Sequence, residues 1–162
     1  MTTTDTRSQS NAETQRRFVS EVWNGRNLDA VPEFLAPDAV VYDPTYPDPI
    51  RGPEEYAAYV RDTLAAFPDF RVDQHAVLAD GDRLMTHYTL SGTNEGPLGP
   101  LPPTGRTVEL DGTAVLRYAD GRIVEDRAFV DTGDLRRQLG LSFPAVLVTG
   151  PRLVVRAIRG RS

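Results

Sequence analysis

An α+β fold, with helices laid over one face of a curved antiparallel sheet, is what this sequence predicts, and three observations predict it. Two helical patterns precede any strand, and one more helix follows a single short strand. From Phe70 onward the apolar period drops from 3.6 to two, interrupted by Asp-Gly turns. Helices gathered ahead of hairpin-linked strands belong to α+β domains, whereas parallel sheets need strands and helices that alternate. The 162 residues suit one domain with a substantial core, and no internal repeat or linker divides them.

Taken in order, residues 1–10 (MTTTDTRSQS) are polar without an apolar face and read as a flexible leader; residues 11–140 read as the folded domain. Asn11 or Ser10 can cap a first helix running to about Asn24, where Phe18, Val19, Val22 and Trp23 recur at helical spacing and Asn24-Gly25 stops it. Leu28, Val31 and Leu35 suggest a short second helix closed by Pro37. Ala39 to Asp43 is a strand candidate, broken by the Pro-rich segment after it. The clearest helix has Pro53 in its first turn, then Glu54 and Glu55 where the dipole favours them, and ends at Pro68. Its stripe is Tyr56, Tyr59, Val60, Thr63, Leu64 and Phe67. Strands follow over Phe70 to Leu78, Leu84 to Ser91, Val108 to Leu116 and Ile123 to Asp131, with Asp80-Gly81 and Asp120-Gly121 as hairpin turns. Asp134 to Leu139 forms a closing helix, and residues 141–162 are a C-terminal extension.

Composition removes whole classes of chemistry. The chain has no cysteine, so thiol nucleophiles, disulfides and Cys-based metal centres are absent. It has no lysine, which excludes Schiff-base catalysis and a Walker-type phosphate loop. The two histidines are far apart with no carboxylate three or four residues away, so no metal is expected, and no dinucleotide or nucleophile-elbow motif indicates a cofactor. The net charge of −5 argues against nucleic acid as a partner; the first 140 residues carry −9 of it, offset by four arginines in the tail. With neither an apolar secretory leader nor a run long enough to span a bilayer, a cytoplasmic location is expected.

The run GTNEGPLGPLPPTGRTVEL followed by YADGRIVEDRAFVDTGDLRRQLG resembles the SnoaL-like polyketide cyclases, a family of the nuclear transport factor 2-like superfamily. The match rests on Gly92-Thr93, Pro102 to Arg106, Asp120 to Glu125, Asp131 and Gln138 to Gly140, and extends from the first helix to Gly140. The resemblance implies a cone-shaped α+β barrel with a pocket between helices and sheet. It also implies cofactor-free acid–base chemistry: intramolecular aldol ring closure on a polyketide-like carbonyl compound, in an enclosed pocket for a small hydrophobic substrate, by a protein of secondary metabolism that forms a homodimer or higher homo-oligomer.

The same resemblance assigns the acid–base role to Asp131, at the end of the last strand. Burial in an apolar cavity would raise such a carboxylate's pKa toward neutrality. A second reading makes Asp131 the N-cap of the closing helix. His87, in the row Met85, His87, Thr89 and Ser91, is the expected partner if that row faces the cavity. Trp23, Tyr42, Tyr59, Thr89, Arg127 and Phe129 are the expected substrate contacts, with Asp43 beside Tyr42 at the cavity mouth; Phe18, Tyr56 and Phe67 are further candidate walls. Glu125 and Arg127 share the face of Asp131 if no bulge intervenes, and Arg127 stands where the family often has an aromatic residue. The loop Glu95 to Arg106 is a candidate cover for the entrance. Two other functions stay open: epoxide hydrolysis of the limonene-epoxide-hydrolase type, using Asp131, Asp111 and Arg127 or Arg117, and noncatalytic ligand binding. The binding reading expects Asp131 exposed or capping, and a filled cavity.

Overall fold

The computed structural model of the protein describes residues 3–141, with side chains from Thr6 onward. Helix α1 (Thr3–Phe18) runs into a π-helical turn (Val19–Asn24), a 3-10 turn (Leu28–Ala30) and the short helix α2 (Val31–Phe34). Strands β1 (Leu35–Tyr42) and β2 (Ile50–Arg51) lead to helix α3 (Gly52–Ala66). The meander β3 (Arg71–Asp80), β4 (Arg83–Thr93), β5 (Thr107–Ala119) and β6 (Arg122–Val130) ends in α4 (Thr132–Gln138). All six strands join one sheet in the order β2-β1-β6-β5-β4-β3.

The α+β class is as expected, with two differences in the sheet. It is mixed, because β1 precedes the meander yet pairs in parallel with its last strand, Val41 beside Asp126. It also stays open, with β2 and β3 as its edges, so the expected barrel does not close.

Most local boundaries follow from side-chain chemistry. Pro53 enters α3 in its first turn, and Glu55 Oε2 accepts the Arg51 amide at 2.7 Å, satisfying a donor the helix leaves free. Asn24 ends the first helical segment by imitating a strand neighbour: its side chain donates to the Val72 carbonyl and accepts the Val72 amide, both at 2.9 Å. Residues 3–10, expected as a leader, continue α1. Ser8 Oγ accepts the Gly81 amide at 2.8 Å and Asn11 Nδ2 donates to the Gly81 carbonyl at 2.9 Å, tying α1 to the β3–β4 turn. Leu35 belongs to β1 rather than to the second helix. Residues 142–162, nearly all of the C-terminal extension, lie outside the described residues.

The core lies between the helices and one sheet face. Phe34, Leu35, Leu116, Ile123, Val22, Val31 and Val60 are its largest fully enclosed apolar side chains. Each contributes about 1.5–3 kcal/mol of transfer free energy relative to exposure. On β4 the inward row is Leu84, Thr86, Tyr88 and Leu90, and on β5 it includes Leu110, Ala114, Leu116 and Tyr118. On β6 the alternation breaks: Tyr118 pairs with Ile123 but Arg117 pairs with Glu125, so Val124 is an extra residue. That bulge puts Asp126, Ala128 and Val130 on the inner face together with Ile123.

Candidate active site

The inner face leaves a cavity of about 80 Å³ between α1, α3 and strands β1 and β3–β6. Its walls are mostly aromatic: Phe18, Trp23, Tyr56, Tyr59, Phe70 and Tyr88. The π-helical turn carries Trp23 inward, and the extra backbone residue of such turns is a common way to re-aim a side chain. Trp23 Nε1 donates to the Tyr56 hydroxyl at 3.1 Å, and its ring lies 5.7 Å from Tyr59 and 5.3 Å from Phe70. Tyr88 lies flat against Gly112, its cross-strand partner. A Cβ at Gly112 would come within 2.5 Å of the Tyr88 ring, so only glycine leaves that ring its place.

Among the described residues two carboxylates line this cavity, Asp126 and Asp43. Asp126 sits on β6 between apolar strand neighbours, Leu116 on one side and Val41 on the other, both buried. The surface it retains belongs to the cavity, whereas its Oδ1 is sealed from solvent and has no hydrogen-bond partner. Burial, and secondly the charge of Asp43, push its carboxyl up from 3.8 to about 7. Asp43, just past β1, is better supported: it accepts Tyr59 Oη at 2.9 Å and the Thr45 amide at 2.7 Å, and also bonds the Thr45 hydroxyl. One acid is thus held in a hydrogen-bonded turn and the other in an apolar wall.

The phenols stay protonated. Burial first, then the charge of Asp126, holds Tyr56 and Tyr88 above the ordinary phenol range; burial and Asp43 do the same for Tyr59. Thr86 Oγ1 accepts from Gln74 Nε2 at 2.8 Å, and Gln15 Oε1 accepts from Tyr118 Oη at 2.7 Å, so other polar groups on the wall are already engaged. Chemically, this is a carboxylate poised near neutral pH beside neutral O–H donors, in surroundings that resist charge.

The residues expected from sequence divide into two groups. Trp23, Tyr59, Phe18 and Tyr56 line the cavity, and so does Asp43. Asp131 does not: it is exposed and is the N-cap of α4, its Oδ1 accepting the Asp134 amide at 2.9 Å. His87 lies on the outer sheet face, its side chain 48% exposed and 3.9 Å from Asp111. His75 is beside it, ring centroids 5.1 Å apart, and bonds Thr89 at 2.7 Å. Asp131 and His87 therefore do not meet in a cavity, because the helices cover the row of Leu84 and Tyr88 rather than the row of His87.

Thr89, Arg127, Phe129 and Tyr42 also miss the cavity. Thr89 donates to Asp111 at 3.0 Å outside; Phe129 is 55% exposed; Arg127 stacks 3.9 Å over the Tyr42 ring and pairs with Glu125 at 2.8 Å. Phe67 is buried in a separate cluster with Ala66, Val108 and Leu139. The loop 95–106 does not reach the cavity either. Buried Asn94 pins it to the end of α3, donating to the Ala66 and Gly96 carbonyls and accepting the Thr104 amide at 2.7 Å. What sequence reasoning missed is Asp126, with Tyr88 and Phe70; the apolar residues Val124, Ala128 and Val130 around a lone acid were the available signal for Asp126.

The family model for SnoaL-like polyketide cyclase matches residues 13–139. The aklanonic acid methyl ester cyclase DauD of Streptomyces sp. (strain C5) is 31% identical over 135 residues, which cover 80% of this chain and 81% of that one. Among solved structures, a protein of Jannaschia sp. CCS1 assigned as a SnoaL-like polyketide cyclase superposes with a TM-score of 0.76 at 24% identity, over 85% of this chain and 96% of its own. IdmH of Streptomyces antibioticus, assigned as a polyketide cyclase, gives a TM-score of 0.67 at 30% identity, over 80% and 98%.

Proposed function

Since this chain belongs to the SnoaL-like polyketide cyclase family, we propose that it is a cofactor-free acid–base enzyme, closing a ring by an intramolecular aldol step with Asp126 as the base. The observation that carries this reading is the enclosed Asp126 carboxylate, Oδ1 unpartnered, in an aromatic cavity. In the first step Asp126 takes a proton from the carbon beside a substrate carbonyl, and the electron pair moves into an enolate. The enolate carbon then attacks a second carbonyl of the same molecule, forming the new C–C bond. The resulting alkoxide takes the proton back from Asp126, which ends the cycle as it began. The hydroxyl of Tyr56, which accepts from Trp23, is an O–H donor for the charge that moves onto oxygen, worth most in a site with little water.

Asp131 keeps a structural role in this reading, as the cap that starts α4. Epoxide hydrolysis has the two carboxylates it needs in Asp126 and Asp43, but Arg117 and Arg127 pair with Glu125 on the outer face, and among the described residues no guanidinium lines the cavity wall. For the noncatalytic reading, Asp131 is exposed and capping as that reading expects, while the cavity is not filled by side chains.

The test is deuterium uptake at the α-carbon of an aryl methyl ketone in heavy water. Asp126→Asn should lower the exchange rate at least a hundredfold with a native circular-dichroism spectrum, while Asp131→Asn, which retains a capping side chain, stays within threefold of the unaltered protein. The reverse order would return the base to Asp131.

A further inference from the structure

From the direction of one buried hydrogen bond we infer that Tyr56 is the subsite for an accepting oxygen of the ligand, a ketone carbonyl in the proposed reaction. Trp23 is the positioning residue that commits the Tyr56 hydrogen to that oxygen. The inference rests on the cavity being the active site and goes further, to the ligand atom that one wall residue holds.

A phenol hydroxyl has one hydrogen to donate and lone pairs with which to accept. Four tyrosines belong to the main core: Tyr56, Tyr59, Tyr88 and Tyr118. Tyr59 donates to Asp43 Oδ2 at 2.9 Å, Tyr88 to the Thr113 carbonyl at 3.4 Å and Tyr118 to Gln15 Oε1 at 2.7 Å. Those three hydrogens are used inside the protein. Tyr56 is bonded the other way round. An indole N–H only donates, so in the 3.1 Å bond with Trp23 the Tyr56 oxygen accepts. Among the described residues no group accepts the hydrogen of Tyr56, although the side chain is buried and lines the cavity. A buried donor without an acceptor is costly, and a ligand oxygen brought into the cavity removes that cost.

Trp23 owes its place to the π-helical turn Val19–Asn24. The next residue, Asn24, holds that turn to β3 by donating to and accepting from Val72, both at 2.9 Å. The indole meets the Tyr56 ring edge-on, at 84°, with centroids 6.2 Å apart. Its N–H occupies a lone pair of the phenol oxygen and leaves the phenol hydrogen for another acceptor. It also strengthens that donor: burial and the charge of Asp126 hold the phenol up, and the indole N–H draws it down. Tyr56 and Asp126 line one cavity, so the carbonyl held by the first and the C–H met by the second can belong to one molecule.

Acetophenone and α-methylstyrene are nearly the same shape and differ in C=O against C=CH2, so their comparison isolates the oxygen. Calorimetry gives the affinities, and the infrared carbonyl stretch of bound acetophenone reports its hydrogen bond. The expected stretch in the unaltered protein lies below that of acetophenone in cyclohexane. Tyr56→Phe should return the stretch to the cyclohexane position and weaken acetophenone about fivefold, with α-methylstyrene within about twofold. Trp23→Phe should weaken acetophenone about threefold, again with α-methylstyrene within about twofold, and should add nothing to Tyr56→Phe in the double variant. A tryptophan that served only as wall would weaken both ligands together. Trp23 is the only tryptophan in the chain, so biosynthetic incorporation of β-(3-benzothienyl)alanine replaces its N–H by sulfur alone and gives the same test if Trp23→Phe does not fold.

An unshifted stretch in the unaltered protein overturns the inference, as does failure of acetophenone to bind or an equal loss for the two ligands in Tyr56→Phe. An equal loss for the two ligands at Trp23 overturns the positioning role. Asp126→Asn separates the inference from the base assignment, since that variant should lose α-proton exchange with the bound stretch still shifted. A shifted stretch without exchange in the unaltered protein would overturn the base assignment and leave the Tyr56 subsite standing.

Discussion

In the proposed reaction Asp126 has to lose a proton, and its surroundings set the pH at which it does. With its carboxyl held at about 7, kcat/KM for proton abstraction should rise about tenfold per pH unit below that value and level off above it. Asp43 supplies part of the upward shift through its charge. Asp43→Asn should therefore move the inflection to lower pH, a readout that a purely structural role would not change; an inflection that stays put removes Asp43 from the account. Sequence reasoning pointed to Asp131, whereas the carboxylates that line the cavity are Asp126 and Asp43. Asp131 has the family spacing, yet its side chain is committed to the Asp134 amide. Asp126 lacks any polar neighbour on its strand face, and the absence of a partner is not visible in a linear motif.

At the level of the strand, one residue decides which carboxylate is enclosed. Alternation from buried Ile123 puts residues 125, 127, 129 and 131 inside, the set that sequence analysis selected. Val124 adds one position to β6, and Asp126, Ala128 and Val130 occupy the inner face instead. An added alanine between Glu125 and Asp126 should turn the acid outward and bring Arg127 and Phe129 in; deletion of Val124 restores plain alternation with Asp126 still inside. The expected outcome is loss of α-proton exchange and a lower melting temperature for the insertion, with measurable exchange kept in the deletion. Equal exchange in both would mean that β6 does not fix the facing of its acid. The helices were legible because capping and stripe residues act locally, as at Pro53 and Glu55. The choice of inner face on β4 was not, because Thr86 and Tyr88 are no more apolar than Met85; only the helices packed across them distinguish the rows.

For the whole molecule, a carboxyl that prefers its proton in the folded state is a cost at neutral pH. Between about pH 4 and pH 7 the folded chain binds more protons at this site than the unfolded one, so the contribution of Asp126 to stability falls as pH rises through that window. A shift of about three pH units amounts to roughly 4 kcal/mol as an upper figure. Asp126→Asn removes it. Denaturant midpoints should show the variant close to the unaltered protein at pH 4.5 and more stable by a few kcal/mol at pH 8, and equal midpoints at both pH values would contradict the enclosed-carboxyl account. The parallel seam between β1 and β6 has its own consequence, in time rather than energy. Val41 and Asp126 are neighbours in the sheet although some 85 positions separate them along the chain. The four meander strands are linked by turns and a single loop and can pair early, whereas the seam waits for a long closure. During synthesis the N-terminal helices and β1 emerge first and have no β6 to dock against until most of the domain has been made. The wall that carries both acids is thus completed last, and a chain that stalls before that step would have nearly all its secondary structure and no cavity around Asp126.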